Sequence, residues 1–308
     1  MTAARRRRLA VLGSPIAHSL SPELHRTAYE LLDLPFDYDR VEVRSGELAA
    51  FLDGLDDSWL GLSLTMPLKR EVMPLLDDVS DLAARLDVAN TLVFGTDGGT
   101  DAGAEGGTDG ADRGTAVGTS GRPRRQGHNT DVDGIVRTVE TWQATRPDAA
   151  TILGGGATAA SALFSAHRLG ARRVAVYLRD TSRAGELTGL ASALGVELAV
   201  RPLGDLATAG PLDFVISTLP GGVADALPLT PASSASVLFD VAYDPWPSRI
   251  AEQWQSAGGV VFSGLDMLVE QAIGQIRLFS GHGAELPDEP SVRAAMRERV
   301  GLPAVAVS

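Results

Sequence analysis

One run limits what this chain can fold into more than any other: Ile152–Leu153–Gly154–Gly155–Gly156–Ala157–Thr158–Ala159. It fits G-x-G-x-x-A between an apolar strand, Ala150–Leu153, and a helix rich in small residues, Ala157–Leu169. The first glycine permits a tight turn, the second lets backbone approach a pyrophosphate, and a small residue at Ala159 lets helix and strand pack closely. The helix N-terminus then presents free N–H groups and a positive dipole end to an anion. Any tight strand–helix connection also favours glycine, so the turn alone is weak. The next strand, Val174–Leu178, completes a βαβ unit and favours a dinucleotide site.

The rest of the chain alternates in the same way. Leu9–Leu12, Phe36–Val43 and Leu60–Leu64 read as strands, and Pro22–Leu32, Gly46–Leu52 and Lys69–Leu76 as helices. Ser21 is the expected N-cap of the first helix, with Pro22 at its first position. Val132–Gln143 leads into the second half. Glu186–Leu194, Phe214–Ser217, Val237–Val241, Val260–Phe262, Leu265–Ser280 and Ser291–Val300 continue the pattern. The expectation is an α/β fold with mostly parallel sheets. At 308 residues the chain has room for two domains. We expect a substrate-binding domain over 1–132, completed by 267–308, and a Rossmann-type doubly wound domain over 133–266.

Between Gly95 and Gly121 the character changes, with ten glycines and almost no large apolar side chain. Such a stretch cannot bury enough surface to offset its ordering entropy. A Gly-rich insertion is expected over 95–127, either a tolerated excursion or a lid over a site.

Composition removes several function classes. A net charge of −12 repels nucleic acid and anionic membranes. No apolar run approaches the roughly 20 residues of a membrane span. The Arg5–Arg8 run is followed by only four apolar residues before Gly13, too few for a secretory signal. Without cysteine there are no disulfides, thiolate zinc sites or thiol nucleophiles, which suits a reducing cytoplasm. None of the five histidines pairs at metal-ligand spacing on a helix, so no metal is expected.

Beyond Leu178, where a NAD site usually places an acidic residue for the ribose, stand Arg179, Asp180 and Arg183. Two guanidiniums could clamp a 2′-phosphate. Asp180 could instead repel that phosphate or accept from a 2′-hydroxyl, and a solvated charged loop is the plain alternative. In the first half, SPIAHSLSP (Ser14–Pro22) places the Ser19 and Ser21 hydroxyls at a helix mouth, which suits a carboxylate. LSLTMPLK (Leu62–Lys69) places Thr65 and Lys69 beyond a strand. DVANTL (Asp87–Leu92) and HNTDVDG (His128–Gly134) put polar side chains at element ends. Singly, these read as caps, turns and surface residues.

Together, and in this order, they resemble the shikimate dehydrogenase family. The likeness is carried by SPIAHSLSP, GLSLTMPLK, VANT with NTDVDG, LGGGATA and GLDMLVEQA (Gly264–Ala272), with YDPWPS (Tyr243–Ser248) as a further segment. It implies a cytoplasmic oxidoreductase that reversibly reduces 3-dehydroshikimate to shikimate with NADPH, in chorismate and aromatic amino-acid biosynthesis. It implies that Lys69 and Asp131 form the catalytic pair, that Ser19 and Ser21 bind the carboxylate, and that Thr65, Asn90 and Gln271 hold the ring hydroxyls with Tyr243 nearby. The implied cofactor residues are Gly154, Gly155, Gly156, Ala157, Ala159, Arg179, Asp180, Arg183, Thr218, Gly264 and Met267. The partner is a small molecule, and a homodimer is admitted. Leu178, Asp180, Ser63 and Asp266 depart from the family's usual Asn, Thr, Asn and Gly. Two other readings stay open: a NAD-using quinate/shikimate dehydrogenase, favoured by Asp180, and a non-catalytic ligand sensor on the same fold. Lys69, Asp131 and the intact Gly turn argue against the sensor.

Overall fold

The computed structural model describes residues 6–95, 122–141, 146–283 and 285–303. The chain divides into two compact units, 1–129 with 275–292, and 130–274 with 293–308.

The first unit opens with β1 (Arg7–Gly13), α1 (Ser21–Leu31), β2 (Phe36–Glu42), α2 (Leu48–Asp53), β3 (Trp59–Leu64) and α3 (Leu68–Glu71). It continues with β4 (Asp78–Val79), α4 (Asp81–Leu86), β5 (Thr91–Gly95) and β6 (Arg124–His128). The apolar run of β1 is buried between its parallel neighbours β2 and β3. The full strand order is β2-β1-β3-β5-β6-β4. This sheet is mostly parallel, as expected, with β5 alone reversed and antiparallel to its neighbours β3 and β6. Leu12, Leu48, Leu62, Leu64, Leu68 and Leu92 fill one side of it.

Three local expectations are corrected here. Leu20, not Ser21, is the N-cap of α1, and it offers no side-chain bond. Ser21 is the first helical residue, and its N–H is met by the Ser19 hydroxyl at 3.4 Å. The helix expected over Lys69–Leu76 stops at Glu71 and gives way to a 3₁₀ turn at Met73–Leu75. Pro74 lacks the N–H that a continuing helix needs. The expected insertion also ends early, since Arg124–His128 is an interior strand paired with β5 and β4. Its polar sequence is tolerable because the inward Arg125 bonds Asp53 at 2.8 Å, and because position 127 is glycine. A Cβ at that position would lie 2.2 Å from Leu76 Cδ1.

Residues 96–121 of the expected insertion lie outside the described residues. Their flanks are already neighbours, since Gly95 pairs with Arg124 across the antiparallel β5–β6 ladder. A hairpin of this kind closes with roughly two to five residues. Replacing Asp97–Ser120 by such a turn should therefore leave folding and kcat/KM nearly unchanged. A roughly tenfold rise in KM for either substrate would show that the segment acts on the reaction, as a lid does.

The second unit contains α5 (Asp131–Thr141), β7 (Ala149–Leu153), α6 (Ala157–Leu169), β8 (Arg173–Leu178), α7 (Gly185–Leu194) and β9 (Glu197–Pro202). Then come β10 (Phe214–Ser217), β11 (Val237–Asp240), α8 (Arg249–Ser256) and β12 (Val260–Ser263). The helix α9 (Gly264–Ser280) has its first eleven residues in the second unit and its last six in the first, and α10 (Glu289–Arg299) is likewise divided. The six strands are all parallel, in the order β12-β11-β10-β7-β8-β9. That is the doubly wound order with its reversal between β7 and β10, where such sheets bind nucleotides beyond the strand ends. Leu153, Val215, Leu238, Ile250 and Trp254 lie in its core. The α/β class and the Rossmann-type second half are as the sequence led us to expect.

Candidate active site

In the first unit, backbone bonds draw the loops after β1, β3 and α4 together. Thr65 N donates to Leu12 O, Leu64 N to Asn90 O, and Ala89 N to Lys69 O, at 2.7–2.9 Å. These bonds bring Thr65, Lys69 and Asn90 into one group. Lys69 is half-buried as the second residue of α3, and Asn90 is buried at the entry to β5. Ser19 and Ser21 are both buried, with Ser19 Oγ donating to Ser21 Oγ at 3.3 Å. Arg40 steadies this turn, since its Nε donates to Ser19 O at 2.6 Å and its Nη2 bonds both oxygens of Glu23.

Beneath these residues lies a layer that the sequence reading did not find: His25, Tyr29, Tyr38, Ser63, Thr91 and Gln275. Tyr38 donates to Ser63 Oγ at 2.6 Å, Ser63 donates to Gln275 Oε1 at 2.9 Å, and the Tyr38 ring stacks on His25 with centroids 3.9 Å apart. The available signal was helical spacing: His25 and Tyr29 are four apart, as are Gln271 and Gln275. Ser63, one of the departures from the family pattern, belongs to this layer.

His25 is held neutral there. Burial pushes its pKa down from 6.5 to about 3, against the opposing bond from Gln275. Burial also lowers the pKa of His128. Such groups bind protons more readily in the unfolded chain, so the stability they contribute is present above about pH 6.5 and is lost as the pH falls toward the folded value. For His25 the slope is about 1.4 kcal/mol per pH unit. Urea midpoints taken from neutral pH down to about pH 4 should fall more steeply for the wild type than for His25→Leu. Equal slopes would contradict this.

In the second unit, Asp131 is fully buried at the start of α5. One turn on, Gly134 lets α5 meet α9: a Cβ there would lie 3.0 Å from Met267 O and 3.3 Å from Gln271 Cβ. Asp131, Met267 and Gln271 are thus carried by two helices in close contact. Tyr243 sits on the loop after β11, and Asp240 ties both ends of that loop. Its carboxylate accepts from Ala242 N at 3.3 Å and from Ser248 Oγ at 2.6 Å. Burial raises the Asp240 pKa, against these bonds. Gly264 holds α9 to the same loop, since a Cβ there would stand 2.0 Å from Val241 O.

The glycine turn fits a dinucleotide. Gly154 has φ +106°, and a Cβ on it would lie 2.5 Å from Thr218 Oγ1, so no other residue suits the position. Thr218 Oγ1 in turn donates to Leu153 O at 2.8 Å, joining the ends of β7 and β10. Gly155 is closed by Leu178, whereas a Cβ at Gly156 would meet nothing within 4 Å, which leaves the backbone open to a phosphate. Ala157 opens α6, and Ala159 is buried against the sheet. Arg179 and Arg183 are exposed beyond β8. Asp180, between them, is the N-cap of a 3₁₀ turn and accepts from Ser182 N at 3.1 Å and from Ser182 Oγ at 2.6 Å. Those bonds, chiefly the one from the Ser182 hydroxyl, lower its pKa. One carboxylate oxygen is therefore engaged by the turn.

Among the described residues there is no cluster of acidic or histidine side chains able to hold a metal, and no helix long and apolar enough to cross a membrane.

A family profile described as the shikimate dehydrogenase substrate binding domain matches residues 11–92. The shikimate dehydrogenase (NADP(+)) of Citrifermentans bemidjiense is 30% identical, over 95% of this chain and 95% of its own length. This chain belongs to the shikimate dehydrogenase family. It is also 34% identical over 95% of its length to the pentafunctional AROM polypeptide of Malassezia globosa, of which it spans 18%. The solved shikimate 5-dehydrogenase of Thermus thermophilus, in complex with NADP(H) and shikimate, superposes with a TM-score of 0.71 at 28% identity. That match covers 95% of this chain and 99% of the other. The family resemblance seen in the sequence is thereby borne out. So is the NADP-dependent oxidoreductase that it implied.

Proposed function

We propose that this shikimate dehydrogenase family member reversibly reduces 3-dehydroshikimate to shikimate with NADPH, in aromatic amino-acid biosynthesis. The observation that carries the reading is the pairing of two built halves. One is a buried Ser19–Ser21 pair grouped by fold with Thr65, Lys69 and Asn90. The other is a doubly wound unit with a glycine turn open at Gly156. We assign the first unit to the substrate and the second to the cofactor.

In this reading Ser19 and Ser21 donate to the substrate carboxylate, while Thr65, Asn90 and Gln271 hold the ring hydroxyls beside Tyr243. Lys69 and Asp131 act at the reacting oxygen. As the ketone is reduced, negative charge develops on that oxygen; the Lys69 ammonium stabilises the charge and supplies the proton, with Asp131 as its carboxylate partner. When bound, the nicotinamide supplies or accepts the hydride. Gly154, Gly155, Gly156, Ala157 and Ala159 form its phosphate turn, Arg179 and Arg183 bind the 2′-phosphate, and Thr218, Gly264 and Met267 line the remainder. Asp180, engaged by its own turn, shapes this site rather than binding the ribose.

The absence of cysteine supports a cytoplasmic setting. A homodimer is admitted, and sedimentation would measure it. The test of function is complementation. A bacterium lacking its own shikimate dehydrogenase should grow without aromatic amino acids when supplied with this chain. No growth despite expressed, folded protein would refute the reading.

A further inference from the structure

The first unit carries a second recess, at the end of its sheet away from the candidate site. Trp59 opens β3, Phe94 stands near the end of β5, and Arg125 near the start of β6. Because β5 runs antiparallel to both neighbours, these three residues fall at one edge, with Phe94 paired to Arg125 across the ladder. Together with Leu52, Leu55 and Arg122 they line a pocket of about 90 Å³. The six residues of β3 set its ends about 16 Å apart, and Thr65 follows the far one. The pocket is therefore separate from the group of Thr65, Lys69 and Asn90, and the reaction proposed above makes no use of it.

Its walls are apolar, with Leu52, Trp59 and Phe94 all buried. One cation is set among them. The Arg125 side chain is 7% exposed, whereas that of its partner Asp53 is 70% exposed. Arg125 Nη2 donates to Asp53 Oδ1 at 2.8 Å, and among the described residues no other bond leaves this guanidinium. The group has five N–H donors in a planar fork, so most of them remain for a ligand. Arg122 is already engaged, since its Nη1 and Nη2 each meet an oxygen of Asp77 at 2.8 Å. Recognition thus falls to Arg125. A guanidinium fork in apolar surroundings selects a carboxylate, which can take two parallel bonds. Asp53 shows that a carboxylate suits this place, and its exposure makes it a weak competitor.

We propose that this pocket is a binding site for a small aromatic monocarboxylate of the benzoate class. The ring lies against Leu52, Trp59 and Phe94, and the carboxylate takes the Arg125 donors that Asp53 leaves. A space of about 90 Å³ equals a few waters, which admits one small ring and refuses a fused pair. Every residue of the site belongs to the first unit. The inference goes beyond the proposed reaction and does not rest on it.

The test is calorimetric titration of the full chain with benzoate, acetate, benzyl alcohol and benzylamine. Benzoate should bind one to one. It should bind at least about tenfold more tightly than acetate, which lacks the ring, or benzyl alcohol, which lacks the charge. Arg125→Gln should weaken benzoate by about ten- to a hundredfold, the worth of charge-assisted bonds. Asp53→Asn should act in the opposite sense and tighten benzoate by about two- to fivefold, because it removes an exposed competing carboxylate. Saturating shikimate should not displace benzoate. Should Arg125→Gln fail to fold, Asp53→Asn and Leu55→Trp carry the same test: the first tightens binding, and the second fills the pocket and abolishes it. No saturable benzoate binding, tighter binding of benzylamine, displacement by shikimate, or an affinity indifferent to these substitutions would overturn the proposal. A chain that binds benzoate as expected but does not turn over shikimate would refute the functional reading alone.

Discussion

Lys69→Ala and Asp131→Asn each lower kcat by about 10²–10⁴, the range for loss of acid–base assistance at a reacting oxygen. If the two groups act as one proton-transfer unit, the double variant is little worse than the worse single variant. The half-buried Lys69 backbone accepts from Ala89 N, so alanine keeps the α3 turn and its bond while removing the ammonium and the stem that carries it. Asp131 is fully buried, and asparagine preserves its volume. Single-turnover kinetics at saturating shikimate and NADP measure the effect on chemistry directly. Near-normal kcat in Lys69→Ala, or fully additive losses, would remove the pair from the mechanism.

The second large effect concerns stability. Asp266 stands where the family usually has glycine, and the structure gives the reason. Ser263 and Asp266 form a capping box at the start of α9: Asp266 Oδ2 accepts from Ser263 N and Oγ at 3.0 Å, while Ser263 Oγ faces Asp266 N. The other carboxylate oxygen meets Arg297 Nη1 at 2.9 Å, with side-chain exposures of 9% and 3%. Arg297 also donates to Pro303 O, and Glu270, one turn further along α9, binds Arg293, one turn back along α10. Arg297→Met leaves a buried carboxylate without its cation, which costs about 3–5 kcal/mol. Adding Asp266→Asn should recover most of that loss, since the uncompensated charge goes and the cap can persist. Urea midpoints of the three proteins test this, and an Arg297→Met variant as stable as the wild type would contradict it.

What the sequence disclosed was local. The Gly154 turn needs its φ of +106°, and its reading required only a strand before it and a helix after it. The motif segments around Ser19, Thr65 and Asn90 were legible for a similar reason, since each is a short run at an element end. What stayed hidden depends on partners far away in the chain. Arg124–His128 carries no apolar alternation, and it is a strand through its ladders with β5 and β4, whose partners lie far away in the chain. The short α4 has six residues, too few for periodicity to register. Gln275 lies 212 positions from Ser63, so no window along the chain could show that the two meet. Asp180 was ambiguous for a different reason. Its sequence neighbours allowed either ribose binding or repulsion of a phosphate, and the structure adds a local cap in which one carboxylate oxygen accepts from Ser182.

The central claim is a substrate and a cofactor together, and one assay matrix measures both: shikimate and quinate, each against NADP and NAD, for wild type and Arg179→Ala. The account predicts turnover of shikimate with NADP above all other combinations. It also predicts that Arg179→Ala weakens NADP use by about ten- to a hundredfold while leaving NAD use nearly untouched, from charge-assisted bonds of about 1.5–3 kcal/mol. Wild-type turnover of NAD equal to that of NADP, or of quinate equal to that of shikimate, would contradict it.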